Sequence, residues 1–277
     1  MVDTINNSLG VLAALNALQS ANSDLAAATA RTSSGLKVAT ASDDPVAYQG
    51  SANMTGEVNS LKAVTLSLSR AQSVSDVSIA AGGQVSKLLI DMKATVASAM
   101  AADLSPSQRQ AYDLQFQQQR DTLVNFIQNA SFDNTNVLNG SKPNGVSFLA
   151  DSDATQSLSL KGRDFLPGGA IVSVSSTDTL SSIDAAQHVY DEISASITNV
   201  GGQLADMGLE SKRIDAQIGF VAKLSDALTE GVGSLVDSDM VGDSALIKAL
   251  QVKQSLSAQA ISIANNAPQT LLALFRP

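Results

Sequence analysis

Three observations predict a mainly α-helical chain, a long coiled-coil hairpin or bundle with a small β-hairpin region at its tip. The 277 residues are 44% hydrophobic but only 4% aromatic, with no Trp, so the apolar content is mostly Ala, Leu, Val and Ile. Apolar residues recur at alternating spacings of three and four near both ends, the period of a helix face. Turn formers and short β-favouring runs gather in one stretch, about 131–178.

The first helix is read from Val11, Leu15, Leu18, Asn22, Leu25, Thr29 and Thr32, which follow a coiled-coil seam. Asn22 falls at an inward position, where a polar residue costs stability but fixes register. A helix of about 27 residues is about 40 Å long. It is only marginally stable alone, so it must dock on something. Asp43-Asp44-Pro45 and Ser105-Pro106 then read as helix starts, each with Pro at the first position behind a capping side chain. Ser105 with Gln108 fits a capping box. Leu61, Val64, Leu68 and Ala71 continue a helical stripe. Ala81, Val85, Leu88, Met92 and Val96 resume it after an interruption at Gly82-Gly83.

Within 131–178, Val146–Leu149, Leu158–Leu160 and Ile171–Val174 are the predicted strands. Beyond it Leu204, Leu209, Ile214, Ile218, Val221, Leu224 and Leu228 recur at helical spacings and supply partners for the first half. Gly231-Val232-Gly233 reads as a helix break. Ala245, Ala249, Val252, Leu256, Ala260, Ile263, Ala267, Leu271 and Leu274 form the last stripe, with Pro268 expected to weaken or kink its final turns.

The charge is unevenly placed. The chain carries −9 overall. Residues 1–43 hold two basic and three acidic side chains, residues 237–277 hold three of each, and 44–236 therefore carry −8. The termini contain one aromatic, Phe275. Neutral, Leu/Ala-rich ends suit burial against another surface. Net acidity argues against nucleic-acid binding. No apolar run approaches the roughly 20 residues of a membrane span, and the start lacks the basic region of a secretory signal. Without Cys, and with one His, the chain offers no disulfide, no thiol nucleophile and no zinc site of the usual kind. His188 has no Gly-x-Ser-x-Gly partner motif. Asp151 with Asp153, and Asp237 with Asp239, lack the calcium-loop spacing. No catalytic, cofactor or metal residues are therefore expected, and the chain is read as no enzyme.

Three segments carry a family resemblance. Ser33-Ser34-Gly35-Leu36-Lys37-Val38 through Asp43-Asp44 resembles the flagellin segment joining the first helix to the rod. Ser131-Phe132-Asp133-Asn134 through Asn139-Gly140 resembles the turn into the flagellin β-hairpin. Gln259-Ala260-Ile261 through Leu274-Phe275-Arg276 is similar to the flagellin C-terminus. The match covers about 5–140 and 185–276.

The resemblance implies a short flagellin lacking large outer domains. An inner coiled-coil domain (D0) would comprise 1–43 and 237–277, and a helical rod (D1) 44–236. It further implies a secreted subunit of the bacterial flagellar filament, self-assembling head-to-tail into a tube for motility. The implied partners are copies of itself and other flagellins, the flagellar export apparatus and a secretion chaperone, and the filament cap and hook-associated proteins. The implied assembly interface is Val11, Leu15, Leu18, Asn22, Leu25, Val252, Leu256, Ala260, Ile263, Ala267, Leu271 and Leu274. Ser34, Gly35, Asp43 and Asp44 form the linker. Ser152, Thr155, Ser173, Ser175, Ser176 and Thr177 are candidate glycosylation acceptors. A hook–filament junction protein shares the same ends and is the alternative. A secreted enzyme on this scaffold and an ordinary soluble helical bundle are the other classes weighed.

Overall fold

The computed structural model describes residues 9–274, with side-chain surroundings for 10–266. In chain order its elements are α1 (Leu9–Ser34), α2 (Pro45–Ala99), α3 (Pro106–Asn129), β1 (Val146–Leu149), β2 (Ser157–Leu160), α4 (Ile183–Val236) and α5 (Met240–Leu274). The chain is mainly α with one small antiparallel pair of strands, as predicted. It divides into two compact units. One comprises the residues up to Gly56 with those from Ala227 onward, and the other is Glu57–Asp226. These divisions fall inside α2 and α4, past the end of α1 at Ser34 and short of the end of α4 at Val236.

The helix starts are locally encoded. Asp44 Oδ1 accepts the Val46 and Ala47 N–H groups at 3.0 Å each, ahead of Pro45. Ser105 completes the expected capping box with Gln108 before Pro106. Asp239 Oδ1 accepts from Val241 and Gly242 and starts α5. Each cap satisfies N–H groups that the first helical turn leaves unpaired.

Within Glu57–Asp226 the core is one apolar cluster. It is lined by Leu89, Met92 and Val96 of α2, by Phe116, Leu123 and Ile127 of α3, and by Val189, Ile193 and Ile214 of α4. Phe165, from the stretch after β2, is fully buried among them. The α2 stripe differs from the sequence reading in two ways. Leu89 is the fully buried residue and Leu88 is only half-buried. Nor is α2 interrupted at Gly82-Gly83. A Cβ on Gly82 would lie 2.7 Å from Leu204 Cδ2, so this glycine lets α4 approach rather than breaking α2. In the other unit, α4 likewise runs through Gly231-Val232-Gly233 to Val236. There a Cβ on Gly231 would crowd Met54 and one on Gly233 would crowd Asp237. α5 continues through Pro268 to Leu274.

The β region starts from a tight turn. Asp133 and Asn134 both have positive φ (48° and 60°), and Phe132 and Thr135 exchange two backbone hydrogen bonds around them. This is the conformation that Asp and Asn tolerate best. β1 pairs with β2 from Val146 opposite Leu160 to Leu149 opposite Ser157. Two strands alone are marginal. Leu149 N–H donates to Ser67 Oγ at 2.8 Å, and Gln217 donates to the Ala150 carbonyl at 2.8 Å, so α2 and α4 hold the hairpin.

Ile171–Val174 is not a strand. Val172 and Val174 are buried, but the backbone bonds outside any ladder: the Val172 carbonyl accepts the Gly168 N–H at 3.0 Å and Ser173 N–H donates to Ser196 Oγ at 2.9 Å. Just beyond the segment, Arg120 donates to the Ser175 and Asp178 carbonyls.

A buried ion pair ties the segment after β2 to α4. Arg163 meets Glu210 through two hydrogen bonds of 3.0 and 3.2 Å, and also reaches Gln203 and the Lys161 carbonyl. Both side chains are less than a tenth exposed. Removing one member leaves the other charged and unpartnered. Glu210→Ala is expected to lower unfolding stability by about 3–5 kcal/mol, measured by denaturant unfolding of the full chain.

Candidate assembly interface

α1 and α5 pack side by side and antiparallel. On α1 the covered positions are Val11, Ala14, Leu18, Ala21, Leu25, Ala28 and Thr32, alternating by three and four. On α5 they are Ile247, Leu250, Gln254, Ser257, Ile261 and Ala264. Ala21 and Ala28 have no exposed surface, and Leu250 and Ser257 are buried. Small residues at these positions let the two backbones come close.

This seam shares only part of the stripe read from the sequence. Val11, Leu18 and Leu25 lie on it. Leu15 is 48% exposed and Asn22 is exposed, with Ala14 and Ala21 taking the intervening positions. On α5 the difference is larger. Val252, Leu256, Ala260 and Ile263 are all exposed, with Ile263 at 72%. The covered set is displaced by one or two residues from the predicted one. Side chains of Ala267, Leu271 and Leu274 lie outside the described residues. The physical reason is that α5 is apolar on more than one side. The exposed stripe is uninterrupted by polar residues and so the more visible in sequence, whereas Gln254 and Ser257 interrupt the covered one.

The ends of the pair are joined by polar contacts that no sequence pattern announced. Arg31, in the last turn of α1, grips Asp243 in the first turn of α5. Its Nε donates to both carboxylate oxygens at 3.2 and 3.3 Å, and its Nη2 to Oδ1 at 3.0 Å. The Ser238 hydroxyl donates to the same carboxylate. Further along, Gln254 donates to Asn22 Oδ1 at 2.8 Å. The guanidinium of Arg31 holds the Asp243 carboxyl below its ordinary pKa, helped by Ser238, and Asp243 in turn raises that of Arg31.

The linker residues are placed by the same junction. Gly35 ends α1 with φ +73°, a conformation available to glycine, and its N–H donates to the Arg31 carbonyl at 2.8 Å. Ser34 Oγ accepts the Leu36 N–H. Leu36 then bridges Asp237, with Lys37 N–H donating to the Val236 carbonyl and Ser238 N–H to that of Gly35. Asp43 accepts from the Ala39 and Thr40 N–H groups, which lowers its carboxyl pKa through the Thr40 contacts first. Asp44 caps α2.

The remaining candidates have ordinary roles. His188 is exposed and sits 3.6 Å from Glu192. Glu192 has its carboxyl pKa pushed up by burial and by the nearby Asp178 carboxyl. Asp151 accepts from Thr155 and Gln156 within its own loop, and those bonds hold its carboxyl low. Among the described residues no group of three or more His, Cys, Asp or Glu is placed to hold a metal ion. No helix is long and apolar enough to cross a membrane among those residues. Of the candidate acceptors, Thr155, Ser176 and Thr177 are exposed, and Ser152, Ser173 and Ser175 are half-buried.

Two family patterns match the chain. The bacterial flagellin N-terminal helical region matches residues 5–143, and the bacterial flagellin C-terminal helical region matches 190–275. Flagellin FljJ of Caulobacter vibrioides is 36% identical over all of this chain and 99% of its own length. A flagellin of Brucella melitensis is 27% identical over the whole of both chains. A solved structure assigned to a flagellar hook-associated protein from Vibrio parahaemolyticus superposes with TM-score 0.56 at 15% identity. It covers 70% of this chain and 100% of that one, a likeness of fold. The chain belongs to the bacterial flagellin family. It is a structural subunit of the bacterial flagellar filament, and its family is structural rather than enzymatic.

A carboxylate held below its unfolded value of about 3.9 contributes stability above that pH and loses it as the pH falls through the lower native value. Because Asp243 is such a group, helix pairing in the wild type is expected to weaken as the pH falls below about 4. Asp243→Asn should lose less stability over that fall, measured by circular dichroism of filaments during acid titration.

Proposed function

We propose that α1 and α5 together form the inner domain of the filament, comprising 1–43 and 237–277, and that 44–236 forms the outer rod. The observation that carries this reading is the uncovered apolar surface of the terminal pair. Leu12 and Leu15 of α1 and Leu246, Val252, Leu256 and Ile263 of α5 are each more than two-fifths exposed. Apolar surface of this extent marks a contact site. Neighbouring copies of the same helices would cover it, so Leu15, Val252, Leu256 and Ile263, read from the sequence as part of the assembly interface, serve between subunits, while Val11, Leu18 and Leu25 join the Ala-rich seam within one. Each contact joins different patches of two subunits. It therefore repeats head-to-tail without closing and generates an open helical polymer.

The acidic middle of the chain would face outward and keep the secreted subunit soluble. Export through the flagellar apparatus with a chaperone, delivery under a filament cap, and attachment through hook-associated proteins belong to this reading. Co-assembly with other flagellins does too. Absence of Cys suits export of an unfolded chain without disulfide traps.

Leu256→Asp is expected to abolish polymerisation, because a charge would be buried unpaired between subunits. The Glu57–Asp226 unit should remain folded. Normal filaments by electron microscopy would refute the assignment of Leu256 to the subunit contact. If the exposed hydroxyls are modified, Ser176 and Thr177 are the acceptors best placed to receive sugar. Intact mass of protein from the native flagellum should then exceed the sequence value, and Ser176→Ala with Thr177→Ala should return it.

A further inference from the structure

The seam between α1 and α5 repeats itself. On α1, Leu18 and Leu25 are seven residues apart, as are Ala14, Ala21 and Ala28. On α5, Ile247 and Ile261 flank Gln254 at the same spacing, and Leu250, Ser257 and Ala264 form the second row. Because the α1 rows repeat, a slide of one heptad would set each α5 residue against the same kind of α1 residue as before, displaced by about 10 Å at roughly 1.5 Å per residue. Apolar packing of this kind specifies register weakly, and a polar contact within such a seam is the usual means of fixing it.

Two polar contacts fall in one antiparallel alignment, Arg31 with Asp243 and Asn22 with Gln254. The backbone bridge between Leu36 and Asp237 is in the same alignment but lies outside both helices. Gly35, at positive φ, separates it from α1, and Ser238-Asp239 separates it from α5. Arg31 and Asp243 lie within helical turns, and the forked guanidinium contact constrains both distance and angle. Ser238, bonded to the same carboxylate, ties the joint to it.

We propose that Arg31 and Asp243, with Asn22 and Gln254, are register-setting residues. They align α1 on α5 so that Leu12, Leu15, Val252, Leu256 and Ile263 are presented to neighbouring subunits in one arrangement. This rests on the reading of the terminal pair as the inner domain of the filament. A shifted pair would keep its internal packing but offer its outer apolar residues about 10 Å out of place. The energetic role of these residues is therefore in assembly more than in pairing.

The chain has no Cys, so cysteines placed at the exposed Gln19 and Gln259 can carry spin labels without background. The label-to-label distance is measured in filaments, with labelled chains diluted into unlabelled wild type. Wild type is expected to give one distance. A chain carrying Asn22→Ala and Arg31→Gln is expected to give a second population at a different distance, from pairs slid by about 10 Å along the helix axis, and its critical concentration for polymerisation should rise about tenfold. Arg31→Lys should return most of the single population. Exclusion of Arg31→Gln chains from filaments that accept Arg31→Lys chains would also support the proposal. A doubly substituted chain that keeps the single wild-type distance would overturn it, as would exclusion of both Arg31 variants. A wild-type chain that forms no polymer would instead refute the filament reading, and the inference with it.

Discussion

The terminal helices have more apolar surface than one chain can cover. α1 and α5 bury Ala21, Ala28, Leu250 and Ser257 against each other, yet Leu15, Leu256 and Ile263 stay in solvent. A pair that packs through small residues gains close approach but buries little area. At roughly 25 cal/mol per Å² of apolar surface, small side chains contribute modestly to the pairing, and helices of this length are marginal without further contacts. On the proposed reading the rest of the stabilisation comes from neighbouring copies, which makes folding of the ends and growth of the polymer one process.

The Glu57–Asp226 unit has no such dependence. It buries large residues, Phe116, Phe165, Leu89, Met92 and Ile193 among them, in one continuous cluster. It also invests in the Arg163–Glu210 pair, an arrangement whose members are costly to separate once buried. The contrast between a self-sufficient unit with aromatic residues and a terminal pair without them is the structural form of the composition difference along the chain. It also explains the charge distribution. Charges are tolerated where solvent remains and are scarce where further burial is to follow.

What was legible in the sequence follows from the range of the interactions. The Ser105 box and the Asp44 cap involve residues two or three apart, so local chemistry announces them. The Phe132–Thr135 turn is legible for the same reason. The α5 stripe covered within the chain is not the one that stands out in sequence, because Gln254 and Ser257 interrupt it while Val252, Leu256 and Ile263 run uninterrupted, and periodicity does not say which stripe faces which partner. Ile171–Val174 was mistaken for a strand because the Gly168 N–H and the distant Ser196 hydroxyl, rather than a neighbouring strand, meet its backbone. Gly82 and Gly231 were read as breaks, whereas each marks close contact with a side chain of another helix. Arg31 with Asp243 and Arg163 with Glu210 carry no local signal at all, being 212 and 47 residues apart.

That separation of 212 residues between Arg31 and Asp243 bears on the order of events when the chain folds. Closing so long a loop is entropically unfavourable, and contacts of high sequence separation form slowly. The caps at Asp44, Ser105 and Asp239 need no such closure and can set helix starts on an extended chain. The N-terminal segment and its distant partner meet late, once the intervening residues have condensed and shortened the effective tether. Under the export proposed above, a subunit would therefore hold its two sticky ends apart during transit and join them only on arrival.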